Sequence, residues 1–571
     1  MRRTALVFAG SLLLAFTARA HDTPPHLAHD YLERYFEMFP SKATAAGRKD
    51  RDRELEDLSP ERLARWLEWN RRVAPKFAAF VTDASLPLDD RLDAELLARQ
   101  AAREVFELDV LKRPERDPLY WTEIAGNAQV FLLVREDRPL STRLAAAVAR
   151  AEGIPRLAEQ ARVAFAATAP TDLSGELLAL AAAQARASAQ FYRAGFPKLA
   201  DSAAPLLGER LRRAAAAAAT ALEALADRFS ELGKTATGSP RLGRHYAESF
   251  RLGTGIAEPV DAVLARAEAD LGAKRSEAAA FGRSVWTRFQ TGEPPADDAE
   301  LLRRLFARVA EDRAKTVDEF VADYETILRD LDRFLRERDF VTLPDPLTLK
   351  TARSPAYFVG QSVGGVYPAG PFAPEADTLF FLPTPPDDAS PEQRDAFFRD
   401  FNHHFNVMIL PHEIYPGHYL QLKFAARHPR KVRALFPDGV YVEGWGTFNE
   451  RLLLDEGWGG PLDRLAHLKK QLENIARTIV DIRVHTRGMT KEEVVTFAKT
   501  EALQDDQFAR NLWTRAITTS PQLTTYYLGY REVRSLYDET KAREGEKFRL
   551  KQFLDGMMEL GPVPVGRYRE R

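Results

Sequence analysis

A helical pattern of apolar residues runs almost unbroken from about residue 25 to about residue 340, and it constrains the fold more than any other feature. Trp66, Trp69 and Val73, for example, follow one another at steps of three and four, as an amphipathic helix requires. Residues 143–230 are rich in alanine, a strong helix former whose small side chain lets helices pack closely. The sequence therefore predicts a mainly α fold built from many packed helices.

The helical pattern is lost in residues 343–390, where proline, glycine and aromatic residues are frequent. Residues 356–359 and 378–382 are short apolar runs bounded by turn residues, which is typical of strands. We expect a small β element here, with residues 380–382 as an edge strand that pairs with an extended peptide. A buried structural hairpin explains the same residues equally well.

The first residues of the chain have the features of a secretory signal. Arg2 and Arg3 precede an apolar run over residues 5–16, and Ala18-Arg19-Ala20 fits the small-x-small pattern of a cleavage site. The apolar run is too short to cross a bilayer as a stable helix. We therefore expect cleavage near Ala20, no stable membrane insertion, and a mature protein that is soluble and periplasmic or secreted.

Charge and cysteine content argue against a nucleic-acid partner and against covalent modification of cysteine. The chain has 81 basic and 83 acidic residues, and no basic stripe with aromatic residues occurs along it, so a nucleic-acid partner is not expected. It has no cysteine, which excludes disulfides and a lipid anchor on cysteine. By length and composition we divide the chain into a signal peptide (1–20), a helical region (21–342) and a region holding the candidate site (343–571), the last two packed as one unit.

The stretch 411–418 holds two histidines and a glutamate, and Glu443 follows 25 residues after the second histidine. Zinc favours imidazole and carboxylate ligands, and a catalytic zinc site has three protein ligands and an open position. The pattern predicts one Zn²⁺ bound by His412, His418 and Glu443, with Glu413 as the general base that takes a proton from water.

The spacing of the two histidines requires a break in the helix. His412 and His418 are six residues apart, which on a continuous helix separates them by about 240°. Pro416 disfavours helix at the preceding residue, and Gly417 tolerates a positive φ. We therefore predict that residues 415–417 leave helical geometry, with Gly417 at positive φ, so that both imidazoles reach one metal ion.

The two motifs resemble a known family. HEIYPGHYLQ (412–421) and YVEGWGTFNERLL (441–453) are similar to the bacterial domain-of-unknown-function family 885 (DUF885), zincin-like proteins with HExxPGH and EGW motifs. The resemblance covers roughly residues 350–571. It implies a large multi-helix, gluzincin-type architecture with the small β element beside the metal, and it implies peptidase activity.

Two further catalytic candidates follow from helical periodicity and from the resemblance. His485 ends an apolar stripe that begins at Leu465, and Asp481 lies four residues before it, where it can accept the imidazole N–H. We expect His485 to stabilise the transition state, although a structural core histidine fits the same pattern. The resemblance places a tyrosine three residues before Gly529, which is Tyr526, and Tyr527 stays open as the alternative oxyanion donor.

The remaining polar candidates are assigned to substrate binding or to ligand support. Glu450 shares a helix face with Glu443 and is expected to hold a ligating imidazole by its other nitrogen, or to be a plain surface acid. Arg515 is expected to bind a substrate carboxylate. His403 and His404 lie on other faces of the helix from His412 and are expected to be core or surface residues rather than ligands.

These residues together predict a secreted zinc-dependent hydrolase, a peptidase that acts on short or unfolded peptides in a cleft walled by the N-terminal helices. Two alternatives stay open. The same residues also suit cleavage of a non-peptide amide or ester in a small-molecule substrate. A non-catalytic binding or scaffold protein with a relic metal site is the third possibility, against which the presence of Glu413 argues.

Overall fold

The computed structural model describes residues 23–355, 365–385 and 389–570, and within them the chain is mainly helical, as predicted. Residues 1–20, with the predicted signal, lie outside this part. The helices that precede the sheet are α1 (Pro24–Met38), α2 (Pro40–Ala45), α3 (Pro60–Thr82), α4 (Leu88–Val105), α5 (Arg113–Arg116), α6 (Leu119–Asn127), α7 (Val130–Val134), α8 (Leu140–Ala164), α9 (Gly175–Gln190), α10 (Pro205–Gly233), α11 (Tyr246–Thr254), α12 (Val260–Phe289), α13 (Asp298–Val309) and α14 (Val317–Glu337).

A second group of helices follows the sheet and carries all the candidate site residues. These helices are α15 (Pro391–Asp400), α16 (His403–Glu413), α17 (His418–Arg427), α18 (Lys431–Leu435), α19 (Gly439–Asp455), α20 (Pro461–Arg487), α21 (Lys491–Thr500), α22 (Asp506–Thr519), α23 (Thr525–Glu544) and α24 (Leu550–Leu560). Short π or 3₁₀ segments occur at Phe106–Val110, Pro170–Asp172, Phe191–Gly195, Phe196–Ser202, Gly243–His245, Gln522–Thr524, Gly545–Lys547 and Val565–Glu570.

The described strands form one small sheet between these two groups. The strands are β1 (Leu349–Arg353), β2 (Gly365–Tyr367) and β3 (Thr378–Leu382), in the order β1–β3–β2, with β1 parallel and β2 antiparallel to β3. Because β3 is paired on both sides, the prediction that residues 380–382 form an open edge is wrong. Their side chains are buried, which favours a structural role. The strand predicted at 356–359 lies outside the described residues.

Helix α20 connects the second group of helices to the N-terminal region. Its predicted apolar stripe is buried against α12 and α13: Leu465, Leu468, Leu472, Ile475, Ile479 and Ile482. Because α12 and α13 belong to the N-terminal region, this hydrophobic cluster crosses the sequence boundary near residue 342. No helix in the described ranges is both long and apolar enough to span a bilayer.

Two glycines set the distance between the helices that carry the site. A Cβ at Gly444 of α19 would lie 2.4 Å from the carbonyl carbon of Gly529 of α23, and a Cβ at Gly529 would lie 2.1 Å from the carbonyl oxygen of Val440. Contacts this short with backbone atoms admit no larger residue. The close crossing brings Glu443 of α19 and Tyr526 of α23 near enough for one side chain, that of Gln522, to contact both.

Candidate metal centre

His412 and His418 lie on two helices that meet at a break. Helix α16 ends at Glu413 and α17 begins at His418, which confirms the predicted departure from helical geometry. The imidazole centroids lie 4.5 Å apart, with their planes at 80°. In the break, the carbonyl oxygen of Pro416 accepts a hydrogen bond of 2.7 Å from Nε1 of Trp445, which ties the connection to α19.

Gly417 is required for a different reason from the one predicted. Its φ is −71°, so the prediction of a positive φ is wrong. A Cβ on Gly417 would lie 1.8 Å from the carbonyl oxygen of His412 and 2.4 Å from that of Pro411. The connection therefore folds back onto the last turn of α16 so closely that only glycine fits, and this return brings His418 beside His412.

His412 lies between two carboxylates of α19. Glu443 and Glu450 are seven residues apart, about two helical turns, and therefore share one face. Oε2 of Glu443 is 3.6 Å from Nε2 of His412, and Oε1 of Glu450 is 2.8 Å from Nδ1. Glu450 is fully buried, so the alternative of a plain surface acid is wrong. Its contact fixes the imidazole with Nε2 directed toward Glu443 and His418.

The start of α19 is held by the N-terminal region, and Gly446 farther along the helix makes room for His412. Oδ1 of Asp438 accepts from the backbone N–H of Tyr441 at 2.8 Å as an N-cap, while Arg99 of α4 pairs with its other oxygen at 2.7 Å. A Cβ at Gly446 would lie 2.7 Å from Nδ1 and Cε1 of His412. Glycine at this position thus leaves space for the imidazole.

His418 is held from α17 and α19. The side-chain amide of Gln421 contacts Nδ1 of His418 at 2.7 Å and donates to the carbonyl oxygen of Val442 at 3.0 Å. Nε2 of His418 lies 3.6 Å from Oε2 of Glu443, the same distance as that of His412. One glutamine therefore aligns the second imidazole with the backbone that carries Glu443.

These three side chains fit a zinc ion. Among the described residues they form the sole group of three possible ligands whose donor atoms lie together, within 4.8 Å of one another. Oε2 of Glu443 is buried and makes no hydrogen bond with any described residue, although it faces both imidazoles. Ligand atoms about 2.1 Å from a tetrahedral ion lie roughly 3.4 Å apart, close to the 3.6 Å observed here.

The electrostatics of the cluster also favour a cation. Burial lowers the pKa of His412, but Glu443 and Glu450 outweigh it and hold this pKa well above 6.5. Burial raises the pKa of Glu443, but His412 and His418 hold it far below its usual value of 4.5. The two carboxylates thus stabilise positive charge between the imidazoles, which is the charge a metal ion would supply.

Glu413 is half-buried at the end of α16, directly after His412. Its negative charge helps to raise the pKa of His412 and, after burial, is the other cause that raises the pKa of Tyr324. Tyr324 of α14 stacks on Phe380 of β3, with centroids 5.9 Å apart. Glu413 is therefore close enough to both His412 and Tyr324 for its charge to act on them.

The structure separates the two tyrosine candidates. Tyr526 lies beside His412, with ring centroids 6.4 Å apart, whereas the hydroxyl of Tyr527 donates to Asp270 at 2.8 Å, on the far side of α23. Nε2 of Gln522 donates to the phenol oxygen of Tyr526 at 2.9 Å and to Oε1 of Glu443 at 3.1 Å. Tyr526 is thus the tyrosine at the cluster.

Comparison with known proteins agrees with the two motifs. The family model described as a bacterial protein of unknown function, DUF885, matches residues 40–571. The chain belongs to this family. The match begins far upstream of residue 350, so it also covers most of the helical region. No curated protein matches the chain.

Two solved structures share the fold. A candidate lipoprotein of unknown function from Shewanella oneidensis is 25% identical, with a TM-score of 0.78 over 96% of this chain and 99% of that one. A candidate lipoprotein from Colwellia psychrerythraea is 16% identical, with a TM-score of 0.76 over 96% of this chain and 98% of its own. The second similarity shows the fold alone.

In this DUF885 protein, His485 and Asp481 do not form the predicted pair. Nδ1 of His485 accepts from the backbone N–H of Leu242 at 3.0 Å, and Nε2 donates to the carbonyl oxygen of Ala516 at 2.9 Å. Asp481 instead accepts from Tyr246 at 2.7 Å and from Ser520 at 3.1 Å. Burial lowers the pKa of His485 to about 4 and raises that of Asp481 to about 7.

Both nitrogens of His485 are therefore engaged by backbone groups, and the imidazole joins the N-terminal region to α22. This geometry favours the structural alternative for His485. His403 and His404 likewise lie away from the cluster: Nδ1 of His403 contacts Asp323 at 2.7 Å, and His404 lies between Asp312 and Asp463. Neither contributes to the group of ligands.

A cavity of about 660 Å³ separates the N-terminal helices from the candidate site. Residues from α4 to α6, such as Arg103 and Glu123, line one side, and Glu443, His485 and Gln522 line the other. This is the place where a cleft walled by the N-terminal helices is expected. The cavity reaches the cluster at Glu443.

Gln421, Gly446 and Gln522 also contact the site and are not among the residues predicted from the sequence. For Gly446 a signal was present, since it follows Glu443 by three residues in Glu-Gly-Trp-Gly and therefore lies on the same side of the helix. Gln522 lies four residues before Tyr526, so their contact is local, whereas its contact with Glu443 arises from the packing of separate helices and has no signal in the sequence.

Replacing Glu450 by glutamine is expected to weaken zinc binding about 10- to 100-fold, as is usual when the partner of a ligating imidazole is lost. The physical reason is that His412 loses the carboxylate 2.8 Å from Nδ1 that fixes its orientation. Titration against a chromogenic chelator measures the change. Glu325→Gln, an exposed glutamate on α14, is the control and should bind zinc as the wild type does.

Proposed function

We propose that this DUF885 protein is a zinc-dependent hydrolase of gluzincin type that cleaves peptides. The observation that carries the proposal is the convergence of His412, His418 and Glu443, whose donor atoms lie within 4.8 Å of one another although the residues come from three helices. The identity of these donors is that of the two-histidine, one-glutamate catalytic zinc sites.

A zinc ion held by this set would supply Lewis acidity at the substrate carbonyl and would lower the pKa of a coordinated water toward about 7. The protein supplies the remaining parts. Glu450 and Gln421 orient the two imidazoles from behind, and Trp445 fixes the break that separates them. Gln522 orients Glu443 by donating a hydrogen bond to Oε1 of Glu443, the oxygen that does not face the imidazoles.

Glu413 would move the proton that hydrolysis requires. As the water oxygen bonds to the carbonyl carbon, the Glu413 carboxylate takes one proton from the water and then passes it to the amine nitrogen as the C–N bond breaks. No oxidant or other reactant is needed. The position of Glu413 directly after His412, half-buried at the end of α16, supports this role.

Tyr526 would stabilise the oxyanion. Because Gln522 donates to the phenol oxygen at 2.9 Å, the phenol proton is left to donate to a substrate oxygen. His485, which both backbone contacts hold as a neutral imidazole, is proposed to support the wall of the cavity rather than to act on the substrate.

Short or unfolded peptides are the proposed substrates, outside the cytoplasm. The cavity of about 660 Å³ beside Glu443 is in the range of small-ligand sites, which suits a short chain and excludes a folded protein. A periplasmic or secreted location is supported by the amino-terminal signal pattern and by the lipoprotein descriptions of the two structural relatives.

Metal content and turnover test the proposal together. The protein purified without chelator should contain about one zinc ion per chain by mass spectrometry, and it should hydrolyse a mixed library of short peptides. Prolonged dialysis against a strong chelator should remove both the metal and the activity. A protein with well under one metal ion per chain after zinc loading would contradict the proposal.

A zinc-loaded protein that cleaves amides or esters but no peptide would point instead to the non-peptide alternative. One that binds zinc at full occupancy and cleaves none of these substrates would be a binding protein with a relic site. Glu413 and the intact ligand set favour the enzyme over that last alternative.

A further inference from the structure

Three cationic side chains lie next to the metal cluster and take no part in binding the metal. Lys470 and Arg477 are two turns apart on α20, and they are only 9% and 6% exposed. Arg515 of α22 is half-buried nearby. The charges of all three act on the single carboxylate of Glu473, as the low pKa of that buried acid shows despite the opposing effect of burial.

The charges in this cationic cluster (Lys470, Arg477 and Arg515) are not balanced. Glu473 pairs with Lys470 at 2.7 Å and with Arg477. Arg515 makes no ion pair in the described part of the chain, and one of its terminal nitrogens donates to Oε1 of Gln522 at 3.2 Å. Glu450 also acts on Lys470 but is already engaged with His412. Asp481 also lies close enough to Arg515 to interact with its charge, but its carboxylate already accepts hydrogen bonds from Tyr246 and Ser520. In the described part of the chain, Glu473 is therefore the one carboxylate that forms ion pairs with this cluster, and it pairs with two of the three cations.

This excess charge is adjacent to the reacting centre. The guanidinium carbon of Arg477 lies 4.8 Å from the ring centroid of Tyr526, which itself lies beside His412. Arg515 and Glu443 bind opposite ends of the same amide, that of Gln522. A group bound at Arg515 is therefore separated from the metal ligand Glu443 by one glutamine side chain.

A half-buried arginine without an ion pair, next to two buried cations that share one carboxylate, leaves excess positive charge that an anion would stabilise. Arginine is suited to a planar carboxylate, which it can bind through two parallel hydrogen bonds. We propose that Arg515, supported by Arg477, binds the free carboxylate at the carboxyl end of a peptide substrate, and that the enzyme releases one or two residues from that end. This inference rests on the proposed function for the cleavage step alone.

Binding of matched peptides to the zinc-loaded Glu413→Gln protein tests the inference without turnover. N-acetyl-trialanine, whose sole charge is its terminal carboxylate, should bind at least about 10-fold more tightly than its C-terminal amide by calorimetry. Adding Arg515→Ala should remove this preference, with little change for the amide. An amidated peptide whose one carboxylate is a glutamate side chain should bind like the plain amide.

Arg510→Ala is the control, because Arg510 is an exposed arginine on the same helix, and it should keep the preference. Four outcomes would each overturn the proposal. The acid and the amide could bind equally, or neither could bind. Arg515→Ala could weaken the binding of both equally, or the peptide with a side-chain carboxylate could bind as tightly as the free acid. A preference for the acid without hydrolysis by the wild type would contradict the proposed hydrolase but not the subsite. Hydrolysis by the wild type without a preference for the acid would contradict the subsite but not the proposed hydrolase.

Discussion

Glu413→Gln should lower kcat by about 10²- to 10⁴-fold while the protein keeps its zinc. Glutamine has nearly the shape of glutamate but cannot take a proton from water, so the loss isolates general-base chemistry from metal binding. Glu413 is not one of the three clustered ligands, and its substitution leaves His412, His418 and Glu443 in place. Peptide hydrolysis and metal content are measured on the same preparation.

The matched control for this experiment is Glu325→Gln. It makes the same chemical change at an exposed position of α14, and it should keep both zinc and activity. Equal turnover by wild type and Glu413→Gln would show that another group moves the proton. Loss of the metal from Glu413→Gln would show that Glu413 belongs to the ligand set rather than to the base.

Gly417→Ala should weaken zinc binding by about 100-fold or more, because the added methyl group meets backbone rather than a movable side chain. Its Cβ would lie 1.8 Å from the carbonyl oxygen of His412, so the connection must move and His418 moves with it. Overpacking of this kind typically lowers the free energy of unfolding by about 1–3 kcal/mol, so the helical fold should remain intact. Zinc titration and far-ultraviolet circular dichroism measure the two effects separately.

Gly272→Ala serves as the control for Gly417→Ala. It adds the same methyl group inside α12, where the new Cβ would meet no atom within 4 Å beyond its chain neighbours and the backbone of its own helix, and it should leave zinc affinity unchanged. Wild-type zinc affinity in Gly417→Ala would show that the two histidines do not depend on this close return of the chain.

The sequence by itself determined those features that depend on near neighbours along the chain. Helical periodicity is local, so the mainly α fold and the apolar stripe of α20 could be predicted. The break before His418 could be predicted too, since two histidines six residues apart cannot share a metal on a continuous helix. The support of a ligating imidazole by Glu450 could also be predicted, because Glu450 follows Glu443 by seven residues, which is two helical turns, and so lies on the same helix face.

The tertiary structure alone decided whatever depends on distant segments. Whether β3 is an edge depends on its pairing with β1 and β2, which no local pattern states. Nδ1 of His485 is taken by Leu242, 243 residues earlier in the sequence, and so Asp481 is free to bind Tyr246 instead. Gly417 is required because a side chain there would collide with the backbone of His412. Local sequence suggested a different reason, a positive φ, which Gly417 does not have.

The choice between Tyr526 and Tyr527 was likewise made by packing, since adjacent residues on a helix point about 100° apart and only the crossing of α19 and α23 shows which one faces the cluster. Gln522 and the cations of α20 and α22 meet there for the same reason. Sequence spacing specifies which residues share a face of one helix, but the close approach of separate helices decides which faces meet, and side-chain chemistry acts only across that contact.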